Sequence, residues 1–342
     1  MGVVTGQLCI PIVEPSQIGE ARRAAVKLAE ASGMNEVRSA EVAIVATELG
    51  TNLARYGRDG RLLIQALEPC GGARVELIAI DTGPGMQDTQ RCLQDGFSTG
   101  GSAGTGLGAV RRLSTEFDLY STAAAGTVVL SRVGATPSSN GCRYEWGVVS
   151  TAAPHEHVCG DIWRVAERNG EIAVMVADGL GHGPLAAEAA LLAADCFDEA
   201  AFGGPGAFCD RAHLALKGSR GAAVAVAHAN GSAVLRYSGV GNISGTLVGH
   251  DDSRGMFSHN GTAGLQMRKV HQLDYTWPEP AILIMHSDGL TNRWSVGSYE
   301  GLFPKHPAII AAILHRHHLR GRDDATILVV RVRLQAHAGA AS

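Results

Sequence analysis

The chain has 342 residues, a formal net charge of −4, 45% hydrophobic residues and 18% charged residues. At roughly 150 residues per domain that length favours two domains, and the balance describes a folded globular chain rather than a disordered one. The mild negative charge offers no electrostatic case for nucleic acid or an anionic membrane surface, and no apolar run approaches the roughly 20 residues that span a bilayer.

Met1 to Ile12 lacks the basic start and long apolar core of a secretion signal. Seven cysteines are scattered with no Cys-x-x-Cys, the usage of a reduced cytoplasmic protein rather than of a disulfide framework. Gln7 to Val13 reads as a strand, and Ser16 is placed to cap a helix running to about Ser32. A second helix is expected from about Glu36 to Tyr56, with Val37, Ile44, Val45, Leu49 and Leu53 at a helical period. Arg61–Leu67 and Arg74–Ile80 alternate as strands do. A helix from near Gly108 is expected to bury Val110, Leu113 and Phe117, and Thr127–Val133 closes the first half as a strand.

Gly134 to Gly141 is rich in small, turn-forming residues and marks the joint. The expected division is a first domain at 1–134, a linker at 135–142, a second domain at 143–335 and a tail at 336–342. The second half is richer in strands: Tyr144–Ser150, Ile162–Arg168, Ile172–Ala177, Ala281–Met285 and Thr326–Val332. Ala222–Ala229 and Ser232–Tyr237 flank Asn230-Gly231, a strong hairpin turn. Pro184–Ala201 reads as an Ala-rich helix with Pro in its first turn, and Pro307–His318 as another helix.

Two sets of chemistry-bearing residues stand one in each half. In the first, Glu48 and Asn52 lie four apart on a helix and share a face. Asp81 ends a strand and opens a turn with Gly83 and Gly85, where a carboxylate can accept from an adenine amino group. Gly104, Thr105, Gly106, Leu107 and Gly108 precede a helix, where backbone N–H groups and the helix dipole suit phosphate. Asn52 offers an oxygen to Mg²⁺, and Glu48 is placed to take a proton from an attacking hydroxyl. Each piece alone is weak, since a Gly-rich stretch is usually a loop and Glu/Asn at helical spacing usually a solvated face. Their order and context give the set its weight.

These residues resemble the GHKL (Bergerat-fold) ATPases, and within them the switch-protein serine kinases of the RsbT and RsbW kind. The resemblance covers about residues 5 to 133 and rests on Thr47–Asn52, Asp81–Met86 and Gly104–Leu113; Ala46–Gly57 looks closer to RsbT. It implies an α/β sandwich with a mixed sheet covered on one face by helices. It also implies Mg-ATP binding and phosphorylation of Ser or Thr on a small STAS-domain protein of the anti-anti-sigma type. It leaves open sigma-factor binding and pairing of the domain with itself or its target.

In the second half, acidic residues stand at the ends of apolar strands: Asp161 after Gly160, Asp178 after Ile172–Ala177, Asp288 after Ile282–Ser287, and Asp323 ahead of Thr326–Val330. Two divalent cations about 3.5–4 Å apart can activate a water and clamp a phosphoryl group, and hard cations want such carboxylates on rigid strand ends. Taken singly, an Asp-Gly is a plain turn. The ordered set resembles the PPM metal-dependent Ser/Thr phosphatases, in their RsbX and SpoIIE branch, over about residues 143 to 333. Val176–Ala187, His286–Leu290 and Gly321–Thr326 are its most specific strings.

By that resemblance Asp178 bridges two Mn²⁺ or Mg²⁺ ions, the Gly179 carbonyl binds one, Asp161 holds the first and Asp288 and Asp323 hold the second. The role of Asp324 stays open. The implied fold is a β-sandwich between helix pairs, and the implied reaction is direct hydrolysis of phosphoserine or phosphothreonine on a STAS-domain protein without a phosphoenzyme. His182 either assists a leaving alkoxide or holds its loop, with the loop role favoured. His155, His157 and Cys159 alternate like ligands but lack a fourth at zinc-finger spacing. His315, His317 and His318 read as an exposed helix end. Trp163, Trp277 and Trp294 read as packing. The joint expectation is a two-domain bifunctional partner-switching regulator. Its rival is an ATP-gated binding module, anti-sigma-like, fused to a phosphatase or a degenerate one.

Overall fold

The computed structural model describes residues 6–68, 72–86, 88–93, 106–136, 143–249 and 252–333. In chain order the elements are β1 (Leu8–Pro11), α1 (Pro15–Ala31), α2 (Glu36–Tyr56), β2 (Arg61–Leu67), β3 (Arg74–Asp81), α3 (Thr89–Cys92), α4 (Gly106–Leu113), β4 (Glu116–Thr122) and β5 (Gly126–Gly134). There follow β6 (Tyr144–Thr151), β7 (Asp161–Arg168), β8 (Glu171–Gly179), α5 (Pro184–Ala200), α6 (Pro205–Ala215), β9 (Ala222–Ala229), β10 (Val234–Val240) and β11 (Ser244–Val248). The last are β12 (Ser253–Met256), β13 (Leu273–Thr276), β14 (Ile282–His286), α7 (Pro307–His318) and β15 (Ala325–Val332). None of the described helices is long and apolar enough to cross a membrane.

The chain divides into two compact units. One comprises 1–138 with Val149–Thr151 and Arg293–Leu319, so α7 belongs to it; the other comprises the remainder. The first unit carries a five-stranded sheet in the order β1-β2-β3-β5-β4. Every pairing in it is antiparallel, which corrects the mixed sheet that the resemblance implies. β4 runs in the direction of β3, but the β4–β5 hairpin inserts β5 between them. The pleat sends Leu62, Ile64, Val75, Leu77, Ala79, Val129 and Val133 to one face, against Ala21, Ala25, Val42, Ala46 and Leu49 of α1 and α2. The other face carries a row in one register: Gln65, Glu76, Arg132 and Glu116. Gln65 Nε2 donates to Glu76 at 2.6 Å, and Arg132 donates to Glu76 and Glu116 at 2.7 Å each. The buried charges are thereby paired, as burial demands.

Several sequence expectations shift in this unit. α1 starts at Pro15 with Glu14 as its N-cap, so Ser16 lies inside the helix. Val37 and Ile44 are 68% and 47% exposed. The buried stripe of α2 is instead Val42, Val45, Ala46, Leu49, Gly50 and Leu53. Small residues let α1 approach closely, with Ile18 only 3.2 Å from where a Cβ on Gly50 would stand. α4 ends at Leu113, and Phe117 belongs to β4.

α7 packs on β4 and β5. It is buried continuously from Pro307 to His315, as a helix apolar all round should be. His315 is therefore not on an exposed helix end. It is 4% exposed and its Nε2 lies 2.9 Å from Thr151 Oγ1. Burial, then the positive charge of Arg61, pushes its pKa down to about 4. A base whose folded pKa lies below its unfolded value of about 6.5 stabilises fully above the unfolded value and loses that contribution as pH falls toward the folded one. The expected result is a loss of about 3 kcal/mol between pH 6.5 and 4 from this group. His315→Gln should flatten that part of the stability–pH curve in urea unfolding followed across the range.

The second unit holds two antiparallel five-stranded sheets, β13-β10-β9-β8-β7 and β12-β11-β14-β15-β6. The Asn230-Gly231 turn joins β9 to β10 as expected. α5 and α6 pack together and cover β7 to β10. They bury Ala193, Phe197, Phe208 and Cys209 against Ala173, Met175, Val224 and Val226. The resemblance implies a helix pair on each side. Here α5 and α6 form the pair on the first sheet, whereas α7 groups with the other unit. Trp163 and Trp277 are buried, as packing residues should be.

Candidate functional sites

In the first unit, α2 carries Glu48 and Asn52 on one face beneath the first turn of α4. A Cβ at Gly106 would stand 2.6 Å from Glu48 Oε2 and 4.0 Å from Asn52 Oδ1. A side chain there would push the Glu48 carboxylate aside. Leu107 packs against the α/β core and Gly108 is buried. Gly104 and Thr105 lie outside the described residues.

Asp81 ends β3 and folds back on itself: its Oδ1 accepts from Gly83 N at 2.7 Å. A Cβ on Gly83 would stand 2.7 Å from that oxygen and 2.9 Å from the Tyr56 carbonyl. Gly85 has φ +72 and lies against the Thr122 carbonyl. Gly57, just past α2, abuts the Asp81 side chain, since a Cβ there would stand 3.1 Å from Asp81 Cβ. One end of the sheet thus gathers Glu48 and Asn52 with Gly106, and the end of α2 with Asp81 and Gly83. Burial raises the Asp81 pKa, opposed by the Gly83 N–H and the Arg316 guanidinium.

In the second unit, β7 and β8 pair in a register that sets Asp161 directly opposite Asp178. Asp161 is 6% exposed. Its Oδ2 accepts from Ser287 Oγ at 2.6 Å. Ser287, fully buried at the end of β14, exchanges backbone-side bonds with Thr326 on β15: its N donates to the Thr326 carbonyl and its Oγ accepts from Thr326 N, each at 3.0 Å. Asp288 follows, its Oδ2 accepting from Asn242 Nδ2 at 2.6 Å. Asp323 Oδ1 accepts from Asp324 N at 2.9 Å, and Asp324 Oδ1 from Ala153 N at 2.8 Å. A Cβ on Gly160 would stand 2.6 Å from Asp324 Oδ2, so Asp324 reaches the start of β7. Gly179 is buried and packed on Ala186 of α5.

These carboxylates feel one another. Burial, then the charges of Asp161, Asp288, Asp323 and Asp324, raises the Asp178 pKa well above the usual range. Asp161 is likewise raised, chiefly by burial, with Asp324 and Asp323 adding to it. Among the described residues no group of three or more His, Cys, Asp or Glu side chains is drawn together closely enough to hold a metal ion. The fit to divalent cations rests instead on donor chemistry. Asp161 Oδ1 is buried with no hydrogen-bond partner, Asp161 stands opposite Asp178 across the β7–β8 ladder, and hard carboxylate oxygens are the donors that divalent cations prefer.

Four residues at these sites escaped the sequence reading as partners. Ser287 and Asn242 hold Asp161 and Asp288. Glu156 Oε1 lies 2.7 Å from His182 Nδ1 and anchors its loop. Arg316 donates to the Asp81 carbonyl. Ser287 lies inside a noticed motif, but nothing in the sequence links the other three to their partners.

Residues 13–132 match the histidine kinase-like ATPase domain family, and residues 168–333 match the stage II sporulation protein E (SpoIIE) family. The serine/threonine-protein kinase RsbT of Bacillus subtilis (strain 168) is 35% identical over 123 residues, which span 36% of this chain and 92% of that protein. Among solved structures, RsbX in complex with magnesium is 22% identical at a TM-score of 0.50, covering 57% of this chain and 98% of that one. A chain from a study of the bacterial stressosome is 24% identical at a TM-score of 0.51, covering 56% of this chain and all of that one. At those identities the two structures speak to fold alone.

Proposed function

Given that this chain belongs to the RsbT-type histidine kinase-like ATPases through its first domain and carries a SpoIIE-type phosphatase domain as its second, we propose that it is a bifunctional partner-switching regulator. The first domain transfers the γ-phosphoryl of ATP to a Ser or Thr on a STAS-domain protein. The second hydrolyses phosphoserine or phosphothreonine on a STAS-domain protein. The observation that carries this reading is the paired register of Asp161 and Asp178, with Asp288, Asp323 and Asp324 raising the Asp178 pKa alongside Asp161. A fold whose second domain had lost its chemistry would have no reason to keep so costly a cluster.

In the first domain Asn52 would hold Mg²⁺, Asp81 would read the adenine amino group, and the α4 N-terminus would face the phosphates. Glu48, beside Gly106, would accept the proton of the attacking hydroxyl. In the second domain Asp161, Asp178, the Gly179 carbonyl, Asp288 and Asp323 would hold two Mn²⁺ or Mg²⁺ ions. Bound there, the cations supply an activated water and a clamp on the phosphoryl oxygens. Ser287 fixes the Asp161 carboxylate, Asn242 fixes Asp288, and the Glu156–His182 pair holds the Gly181–Gly183 loop.

The test is incubation of the purified chain with Mg-ATP and each candidate STAS protein, followed by addition of Mn²⁺ to the phosphorylated product. Phosphate should enter one STAS protein and be released from another, or from the same one under different conditions. Strong simultaneous kinase and phosphatase activity on a single serine would consume ATP to no end and would count against the reading.

A further inference from the structure

The segment Arg293–Leu319 is spliced between two predicted metal ligands. It begins five residues after Asp288 and ends four residues before Asp323. Yet it groups with the nucleotide-binding unit. Its anchors there are specific. Tyr120 Oη on β4 donates to the Glu300 carbonyl at 3.0 Å. Asp118 accepts from Lys305 Nζ at 3.1 Å and from the His306 backbone N at 2.7 Å. At the far end of α7, Arg316 donates from Nη1 to the Asp81 carbonyl and from Nη2 to the Ala125 carbonyl. One guanidinium therefore clamps the end of β3 to the β4–β5 turn.

Asp81 is the residue whose carboxylate opens the adenine turn, and Gly85 of that turn lies against Thr122 at the start of the β4–β5 connection. Arg316 touches the backbone on which both depend. Its Nε is buried and has no hydrogen-bond partner. An unsatisfied buried donor is costly, so a small movement of the Asp81–Gly85 turn changes the energy of the clamp. Any shift of α7 must be absorbed by the short stretches leading to Asp288 and Asp323.

We infer that Arg293–Leu319 is a nucleotide-sensing tether: occupancy of the Asp81 site is passed through Arg316 and α7 to Asp288 and Asp323, so that nucleotide binding in the first domain resets phosphoester hydrolysis by the second. This rests on the reading of the two sites given above. It also supplies what a chain with opposed activities needs, a means for one to restrain the other. Coupling between two sites is carried by an element that both can bias, and the tether is such an element, because it touches one site and covalently flanks the other.

The experiment measures hydrolysis of p-nitrophenyl phosphate by the full chain at fixed free Mn²⁺, with and without saturating AMPPNP, while nucleotide affinity is measured separately by calorimetry. Coupling in the usual range changes the rate about fivefold or more in either direction. Arg316→Gln should lose the response, with its nucleotide-free rate and its AMPPNP affinity measured alongside. Lys305→Ala, at the other anchor, should weaken the response, which guards against a fold defect peculiar to Arg316→Gln. An unchanged rate in the wild type despite measured AMPPNP binding overturns the tether. So does an Arg316→Gln chain that responds like the wild type. A chain that binds no nucleotide, or that hydrolyses no phosphoester, removes the underlying site reading and the tether with it.

Discussion

Asp178→Asn is expected to lower phosphoester hydrolysis by about 10³-fold or more, the equivalent of about 4 kcal/mol of transition-state stabilisation that cation-assisted chemistry supplies. The substitution preserves shape and removes one charge. Asp178 faces Asp161 across the β7–β8 ladder, and every neighbour that perturbs its charge is itself negative or simply desolvates it. Removing that charge relieves repulsion, so in chelator the variant should melt no lower than the wild type. Loss of activity with retained or increased thermal stability is the signature of a carboxylate kept for chemistry. Hydrolysis of a phosphorylated STAS protein in Mn²⁺, read beside thermal unfolding in EDTA, checks both halves of the statement. Activity within tenfold of the wild type, or a lower melting temperature in chelator, would remove Asp178 from the reaction.

Much of this arrangement is written locally. The run Ile172–Ala177 ends in Asp178, and strand periodicity alone fixes where that carboxylate emerges. The spacing of Glu48 and Asn52 sets them on one face of α2 whatever lies opposite. Local signals fail where the deciding partner is remote. Val37 and Ile44 fit the helical period, but the stripe that packs is set by which small residues admit α1, with Gly50 against Ile18 the clearest case. Phe117 extends the apolar pattern of α4, yet the Thr115 N–H donates to the Arg132 carbonyl, so the chain has already joined the sheet. β11, β12, β13 and α6 carry too little periodicity to stand out. His315 looks like its neighbours His317 and His318, and only the packing of α7 on β4 and β5 makes it a buried, neutral base. The partners Ser287 to Asp161 and Arg316 to Asp81 are separated by 126 and 235 residues. No residue pattern announces a pairing at that range, because it exists only once the strands are in register.

Glu48→Ala should divide the two functions proposed for the first domain. Glu48 is half-buried on α2, its carboxylate directly under Gly106 at the start of α4. It is one helical turn from Asn52 and separate from the Asp81–Gly83 turn, so the groups that would read adenine and hold Mg²⁺ survive its removal. A general base contributes about 10²- to 10⁴-fold. Phosphorylation of the STAS target should fall by about that factor, while AMPPNP affinity changes little. Asn52→Ala differs in kind, since it removes an oxygen that the nucleotide's cation needs and should weaken Mg-nucleotide binding and transfer together. Radiolabelled phosphate transfer measured with calorimetric nucleotide affinity separates the two variants. If Glu48→Ala still phosphorylates within tenfold of the wild type, the carboxylate takes no proton. Another group would then serve as the base, and only a wild-type chain that binds Mg-nucleotide yet transfers no phosphate would make the first domain a nucleotide-gated binding module that sequesters its partner.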